Sequence, residues 1–178
     1  MRQLNHEAEF IMHMERQLGT PDQDEDSIVT TTVLSPGITS AKLYLVGKKE
    51  IYGYIPSILP YITKVLDKSG QNIYFDPKDI IELAMKGQAH IWIVMDDKVR
   101  AVGVTQIKEI PKLRYLLLWL YAGDKVYQED FLKIVENWAK KRFGCTYTET
   151  WTRPGLIKTF YSKHGFKQHE VKCTREII

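Results

Sequence analysis

The 178-residue sequence predicts a mixed α/β domain, in which a central, mostly antiparallel sheet is flanked by helices and preceded by a helical N-terminal extension. Three observations carry that expectation. From Ala41 onward the apolar residues fall into short β-type runs and longer helical stripes, in the order strand, helix, helix, three strands, helix, strand, helix, strand. The three successive strand runs, 90–95, 100–110 and 113–121, are joined by short links, which is the pattern of an antiparallel meander. A 44% hydrophobic content over this length is enough for one domain with a proper core.

Residues 1–40 read as an extension and residues 41–178 as the domain. Leu4, Ala8, Ile11 and Leu18 share one helical stripe, which Gly19 and Pro21 end. The acidic run Asp22 to Asp26 reads as a hinge. Ser27 to Leu34 is rich in Val, Ile and Thr and is broken by Ser35-Pro36-Gly37. The apolar stripe of this arm has to lie on something, either its own domain or a neighbouring subunit.

Within the domain, Ala41 to Val46 alternates as a strand. Pro56 to Lys68 is expected to be a helix with Ile58, Leu59, Ile62, Val65 and Leu66 inward, its two prolines confined to the first turn. Asp76-Pro77 opens the next helix: the carboxylate caps free backbone N–H groups, and proline sits where its missing donor does no harm. That helix runs to Gly87. After the meander a long helix spans about Lys125 to Phe143, with Tyr127, Phe131, Ile134, Val135 and Trp138 as its apolar stripe. Lys140, Lys141 and Arg142 sit at its negative end, and Gly144 stops it. Cys145 to Trp151 reads as a strand, Pro154 to His164 as a helix and Phe166 to Thr174 as a last strand.

Charge is unevenly distributed. Residues 1–30 set two arginines against seven carboxylates, a net of −5, so the rest must carry +8 to reach the total of +3. Such a body suits a polyanion, but its cations are scattered along the sequence, which argues against nucleic acid as the partner. Cys145 and Cys173 stand alone, with no Cys-x-x-Cys pair and no histidine at ligand spacing, so no metal site is expected and both read as packed strand residues. The first residues have no apolar core of a secretory signal. The longest apolar run, Tyr115 to Ala122, falls far short of the ~20 residues of a membrane helix, so a soluble protein is expected.

The segment Phe160-Tyr161-Ser162-Lys163-His164-Gly165-Phe166 closes a helix with a glycine suited to left-handed backbone and resumes with an aromatic. It resembles the last conserved segment of the GNAT family, the acetyl-CoA-dependent N-acyltransferases, and the element order of 41–178 is similar to that of the family. The resemblance implies a GNAT-like fold, with Tyr161 in the place of the acid that protonates the departing thiolate. It implies a cofactor diphosphate, that of acetyl-CoA or another acyl-CoA, at Tyr121, Ala122, Gly123 and Lys125, between the third meander strand and the long helix. There the family has a loop of the type Arg/Gln-x-x-Gly-x-Gly/Ala. This chain has one glycine where two are expected, and Asp124 where an anion would bind. Glu109 and Glu149 are the candidates for a base that takes the amine proton.

The runs Ala101-Val102-Gly103-Val104 and Leu117 to Gly123, followed by a long helix and Trp151 to Phe166, also look like a GNAT-like group of short-tailed bacteriophages. Members of that group lack the glycine-rich loop, and some are internal virion proteins. This resemblance implies a non-catalytic virion-associated or assembly protein, placed in the virion or host cytoplasm, whose partners are other virion proteins bound through residues 1–40. The alternative is an active acyl-CoA-dependent N-acyltransferase.

Overall fold

The computed structural model describes residues 32–34, 41–152 and 154–168. The expected helix at 4–18, the acidic run and most of the expected last strand lie outside the described residues. Six strands form one sheet in the order β1 to β6: β1 (Thr32–Leu34), β2 (Ala41–Leu45), β3 (His90–Met95), β4 (Val99–Ile110), β5 (Leu113–Gly123) and β6 (Tyr147–Thr150). Every neighbouring pair is antiparallel except β5 and β6, which are parallel. The helices are α1 (Ile51–Ser69), α2 (Pro77–Met85), α3 (Gln128–Phe143) and α4 (Pro154–Thr159). The expected mixed fold with a mostly antiparallel sheet is what the chain adopts, and the Thr32–Leu34 strand adds to its edge from within the 1–40 segment. Among the described residues no helix is long and apolar enough to cross a membrane.

Helix α1 begins five residues earlier than expected, which places Pro56 and Pro60 in its interior and not in its first turn. Each interior proline costs about 3 kcal/mol. Ile51, Ile55, Ile58, Ile62 and Leu66 outweigh that cost, because each is at most 1% exposed and such burial contributes roughly 1.5–3 kcal/mol per side chain. Both prolines lie on the solvent side, where their lost donors harm least. The α2 start is as expected: Lys78 N–H donates to Asp76 Oδ1 at 2.9 Å and Asp76 N–H to Asp79 Oδ2 at 2.7 Å, a capping box.

Strand alternation divides the core into two layers. One sheet face carries Ile91, Ile93, Val102, Val104 and Leu117 against α1 and α2; the other carries Trp92, Val94, Ala101, Leu116 and Leu118 against α3. The register of β4 and β5 slips between Val104↔Leu120 and Thr105↔Leu118, so Trp119 is an extra residue. This bulge puts Trp119 and Leu120 in the same core layer in succession, and Tyr121 in the other. Further on, Pro154 to His164 divides into α4 and a 3-10 turn over Tyr161–His164, with Gly165 at φ 80° closing it as the sequence requires. Phe166 to Gln168 form no strand. Cys145, just ahead of β6, is a buried free thiol.

Close approach of α3 to the sheet depends on Gly103 in β4. A Cβ there would lie 2.2 Å from Cζ of Phe131, whose ring is 1% exposed and packs on Tyr121 at 5.1 Å. Gly103→Ala is therefore expected to destabilise the fold by about 1–3 kcal/mol in urea denaturation. Combining it with Phe131→Leu should recover part of that loss, so that the two changes are non-additive.

Candidate functional site

The site begins where two parallel strands part. β5 and β6 pair from Tyr115↔Tyr147 to Leu118↔Thr150, and there β6 ends while β5 runs on to Gly123. The wedge between them opens into a cleft of about 580 Å³. Its walls come from Tyr61, Lys64 and Lys68 on α1, Trp119 to Asp124 on β5 and its end, and Thr150 to Thr152 leaving β6. Arg100, Lys125, Leu156 and Tyr161 complete it. The structure thus brings Tyr121, Ala122, Gly123, Lys125 and Tyr161 to one cleft.

The bulged Trp119 anchors this end of β5. Its indole N–H donates to Gln71 Oε1 at 3.1 Å, and its ring meets Phe75 edge-on at 4.8 Å. Across the cleft the Tyr61 hydroxyl donates to the Val99 carbonyl at 2.8 Å, tying α1 to the start of β4.

Tyr161 opens the 3-10 turn and is 5% exposed, between the rings of Phe160 and Phe166, each 5.2 Å away. Burial pushes its phenol above the ordinary tyrosine value, and side-chain hydrogen bonds with Thr150 and Thr152 pull it partly back. It stays protonated at neutral pH. Tyr121 is pushed further up, by burial first and by Asp124 second. The Tyr121 hydroxyl donates to the Asp124 carbonyl at 2.8 Å.

The link from β5 to α3 is tightly closed. Gly123 sits at φ 128°, and a Cβ on it would lie 2.3 Å from the Arg100 carbonyl oxygen. Asp124 N–H donates to that same carbonyl at 3.0 Å, while the Asp124 carbonyl accepts from Tyr127 N–H at 3.3 Å. Lys125–Tyr127 already form a 3-10 turn that runs straight into α3, leaving Asp124 alone between strand and helical backbone. Glu129 and Asp130 occupy the first turn of α3, where the helix N-terminus would otherwise draw an external anion. A hydrogen bond and the charge of Lys133 hold the Glu129 carboxyl below its ordinary value; the pair is 2.7 Å apart.

The two carboxylates proposed as a base lie elsewhere. Glu109 is near the far tip of the β4–β5 hairpin, exposed and 2.9 Å from Arg114 Nη2. Five residues separate it from Val104, which faces Leu120, so it stands about 17 Å along the strand from the cleft. Glu149 is exposed on β6 and accepts from the Trp151 indole at 2.7 Å; Trp151 and Thr150 line the cleft, Glu149 does not.

Sequence reasoning did not single out Lys64, Lys68 or Arg100. The structure gathers these dispersed cations with Lys125 on one cleft, against Asp124 as the one carboxylate among the described lining residues. Arg100 is committed, its Nε 2.8 Å from Asp96 Oδ2 and its Nη2 3.3 Å from Asp97. The signal for the lysines was their spacing of four on the polar face of an otherwise apolar helix.

No family model matches the chain, and neither does any curated protein. Solved structures do match in fold. A predicted acetyltransferase from Clostridium acetobutylicum, solved with acetyl-CoA, superimposes with TM-score 0.59 and 13% identity over 76% of this chain and 96% of that one. A GCN5-related N-acetyltransferase from Ralstonia eutropha gives TM-score 0.59 at 9% identity over 78% of this chain and 99% of that chain. An aminoglycoside acetyltransferase from a soil metagenomic sample, in complex with trehalose, gives 0.55 at 9% over 78% and 97%. At these identities the likeness is one of fold.

Because burial raises the Tyr121 and Tyr161 phenols, the unfolded chain loses those protons first as pH climbs past about 10. The stability they contribute is fully present below that pH and is lost as pH rises through the folded-state values. Denaturation at pH 8, 10 and 11 should show this decline, and Tyr161→Phe should make it shallower.

Proposed function

We propose that this chain, which has the fold of the GCN5-related acetyltransferases, works by binding rather than by acetyl-CoA-dependent acyl transfer. The observation that carries the reading is the closed link at Gly123-Asp124. The backbone N–H of Asp124 is bonded to Arg100 and its carbonyl to Tyr121 and Tyr127, so these groups do not face an anion. The residues present do not fit a diphosphate there. The Asp124 carboxylate opposes a phosphate placed beside it, an effect that Lys125 offsets in part, and Glu129 and Asp130 stand in the first turn of α3. The lone glycine lets β5 end against β4, where a Cβ would meet the Arg100 carbonyl.

The place of such a protein in a phage virion rests on the sequence resemblance alone. The solved structures named above are described as acetyltransferases, and they lend support to the fold without lending any to a virion role. Contact with assembly partners through residues 1–40 belongs to the same proposal.

Titration calorimetry of the full chain with acetyl-CoA is expected to give no binding at micromolar concentrations. A micromolar Kd would overturn this reading. A second reading, an N-acyltransferase, is favoured by Tyr161, a protonated phenol that lines the cleft. If a preparation transfers acyl groups, Tyr161→Phe should lower kcat roughly 10²-fold with KM little changed. An unchanged rate would remove Tyr161 from that chemistry.

A further inference from the structure

The cations of this basic body are dispersed along the sequence, but the fold returns many of them to one end of the sheet. At that end β2 and β4 finish, β3 and β5 begin, and α3 stops. Lys48 and Lys49 lie in the link from β2 to α1, Lys108 and Lys112 in the β4–β5 hairpin, and Lys140 and Lys141 in the last turn of α3. None of the six has an ion pair among the described residues, and all but the half-buried Lys108 are exposed. Of the carboxylates near them, Glu82 and Glu109 are taken up by Lys86 and Arg114. That leaves Glu50, which accepts from the Gly47 N–H at 3.3 Å, and Glu136, one turn before Lys140. The opposite end has the reverse balance: between Asp96 and Arg100 and between Asp124 and Asp130 stand five carboxylates and three cations.

The three basic segments adjoin. Lys48 and Arg142 line one pocket of about 90 Å³ with His90 and Trp138, which brings the β2–α1 link beside the end of α3. Arg114 Nη1 donates to the Phe143 carbonyl at 3.0 Å and ties the hairpin to the same helix end. The surface they form is stepped. Thr105 faces His90 at the start of β3 and β4 continues five residues to Ile110, so the hairpin tip stands about 17 Å further out. A flat anionic surface that touches the tip leaves Lys48 and Lys49 beyond the ~8 Å reach of charge at physiological salt. A grooved polyanion meets both levels. The major groove of DNA, roughly 12 Å wide and 8.5 Å deep, admits a two-stranded β-ribbon and is bordered by phosphates on either side.

We propose that this end of the sheet binds double-stranded DNA through its phosphate backbone, without reading sequence. The β4–β5 tip lies in a groove, and Lys48, Lys49, Lys140 and Lys141 meet the flanking phosphates. The surface is separate from the cleft at the other end of β5, so the proposal stands under either reading of that cleft.

Fluorescence anisotropy of the full chain with a labelled duplex of about two helical turns tests it. Micromolar binding is expected at about 50 mM salt, weakening roughly 10²-fold by about 200 mM if some four phosphates are neutralised. Absent binding at the lower salt, or binding indifferent to salt, defeats the proposal. Lys49→Glu with Lys112→Glu should weaken the complex at least about tenfold. Lys42→Glu with Lys98→Glu makes the same change in net charge at the other end of the sheet and should alter affinity less than about twofold. Equal losses in the two variants would reveal a response to net charge alone and sink the idea. Amine labelling of the wild-type chain gives a readout that no variant's folding can disturb. The duplex should protect Lys48, Lys49, Lys112, Lys140 and Lys141 several-fold and leave Lys42 and Lys98 reactive; even protection counts against the assignment. Anionic vesicles or polyglutamate that displace the duplex at equal charge concentration would give the surface to a membrane or an acidic protein instead.

Discussion

The parting of β5 from β6 after Leu118 and Thr150 is the constraint from which the rest of the site follows. Two parallel strands that stayed paired would bury their backbone groups and leave no opening. The extra residue at Trp119 re-aims β5 just as β6 ends, and the indole hydrogen bond to Gln71 holds the redirected strand against the helical layer. From that one irregularity come the cleft, the placing of Tyr121 towards α3, and the line along which the chain enters α3. Tyr161 reaches the same opening from the other side because the helix after β6 breaks into a 3-10 turn at Phe160.

Electrostatics then decides what kind of space this is. The β5 end is crowded with satisfied backbone groups and carboxylates, while the α1 wall is lined by lysines. The α1 wall is the cationic side of the cleft and the α3 terminus the acidic one. The fold is that of acetyltransferases, and fold likeness alone says nothing about the distribution of charge over the cleft.

Much of the architecture was legible in the sequence because period and capping agree there. The Asp76-Pro77 start, the meander and the long amphipathic helix ended by Gly144 each have a local cause that the fold leaves intact. The start of α1 was not legible: two prolines argue locally for a helix beginning at residue 56, and only the tertiary burial of Ile51 and Ile55 overrides them. The bulge at Trp119 was equally hidden, since an apolar run from Leu116 to Ala122 has no alternation to interrupt. For the site, Tyr161 and the 121–125 segment were found through a motif. Lys64 and Lys68 were not, because their meaning arises only when a helix some fifty residues earlier packs over the end of β5.

The single residue between β5 and the helical backbone of 125–127 bears on how this chain can change. A glycine-rich anion loop needs several consecutive peptide groups free to turn inward, and Asp124 supplies one, already engaged at both ends. Exchanging Asp124 for glycine alters a side chain and leaves the backbone as short as before. The obstacle is therefore one of length, crossed by inserting residues and untouched by replacing them.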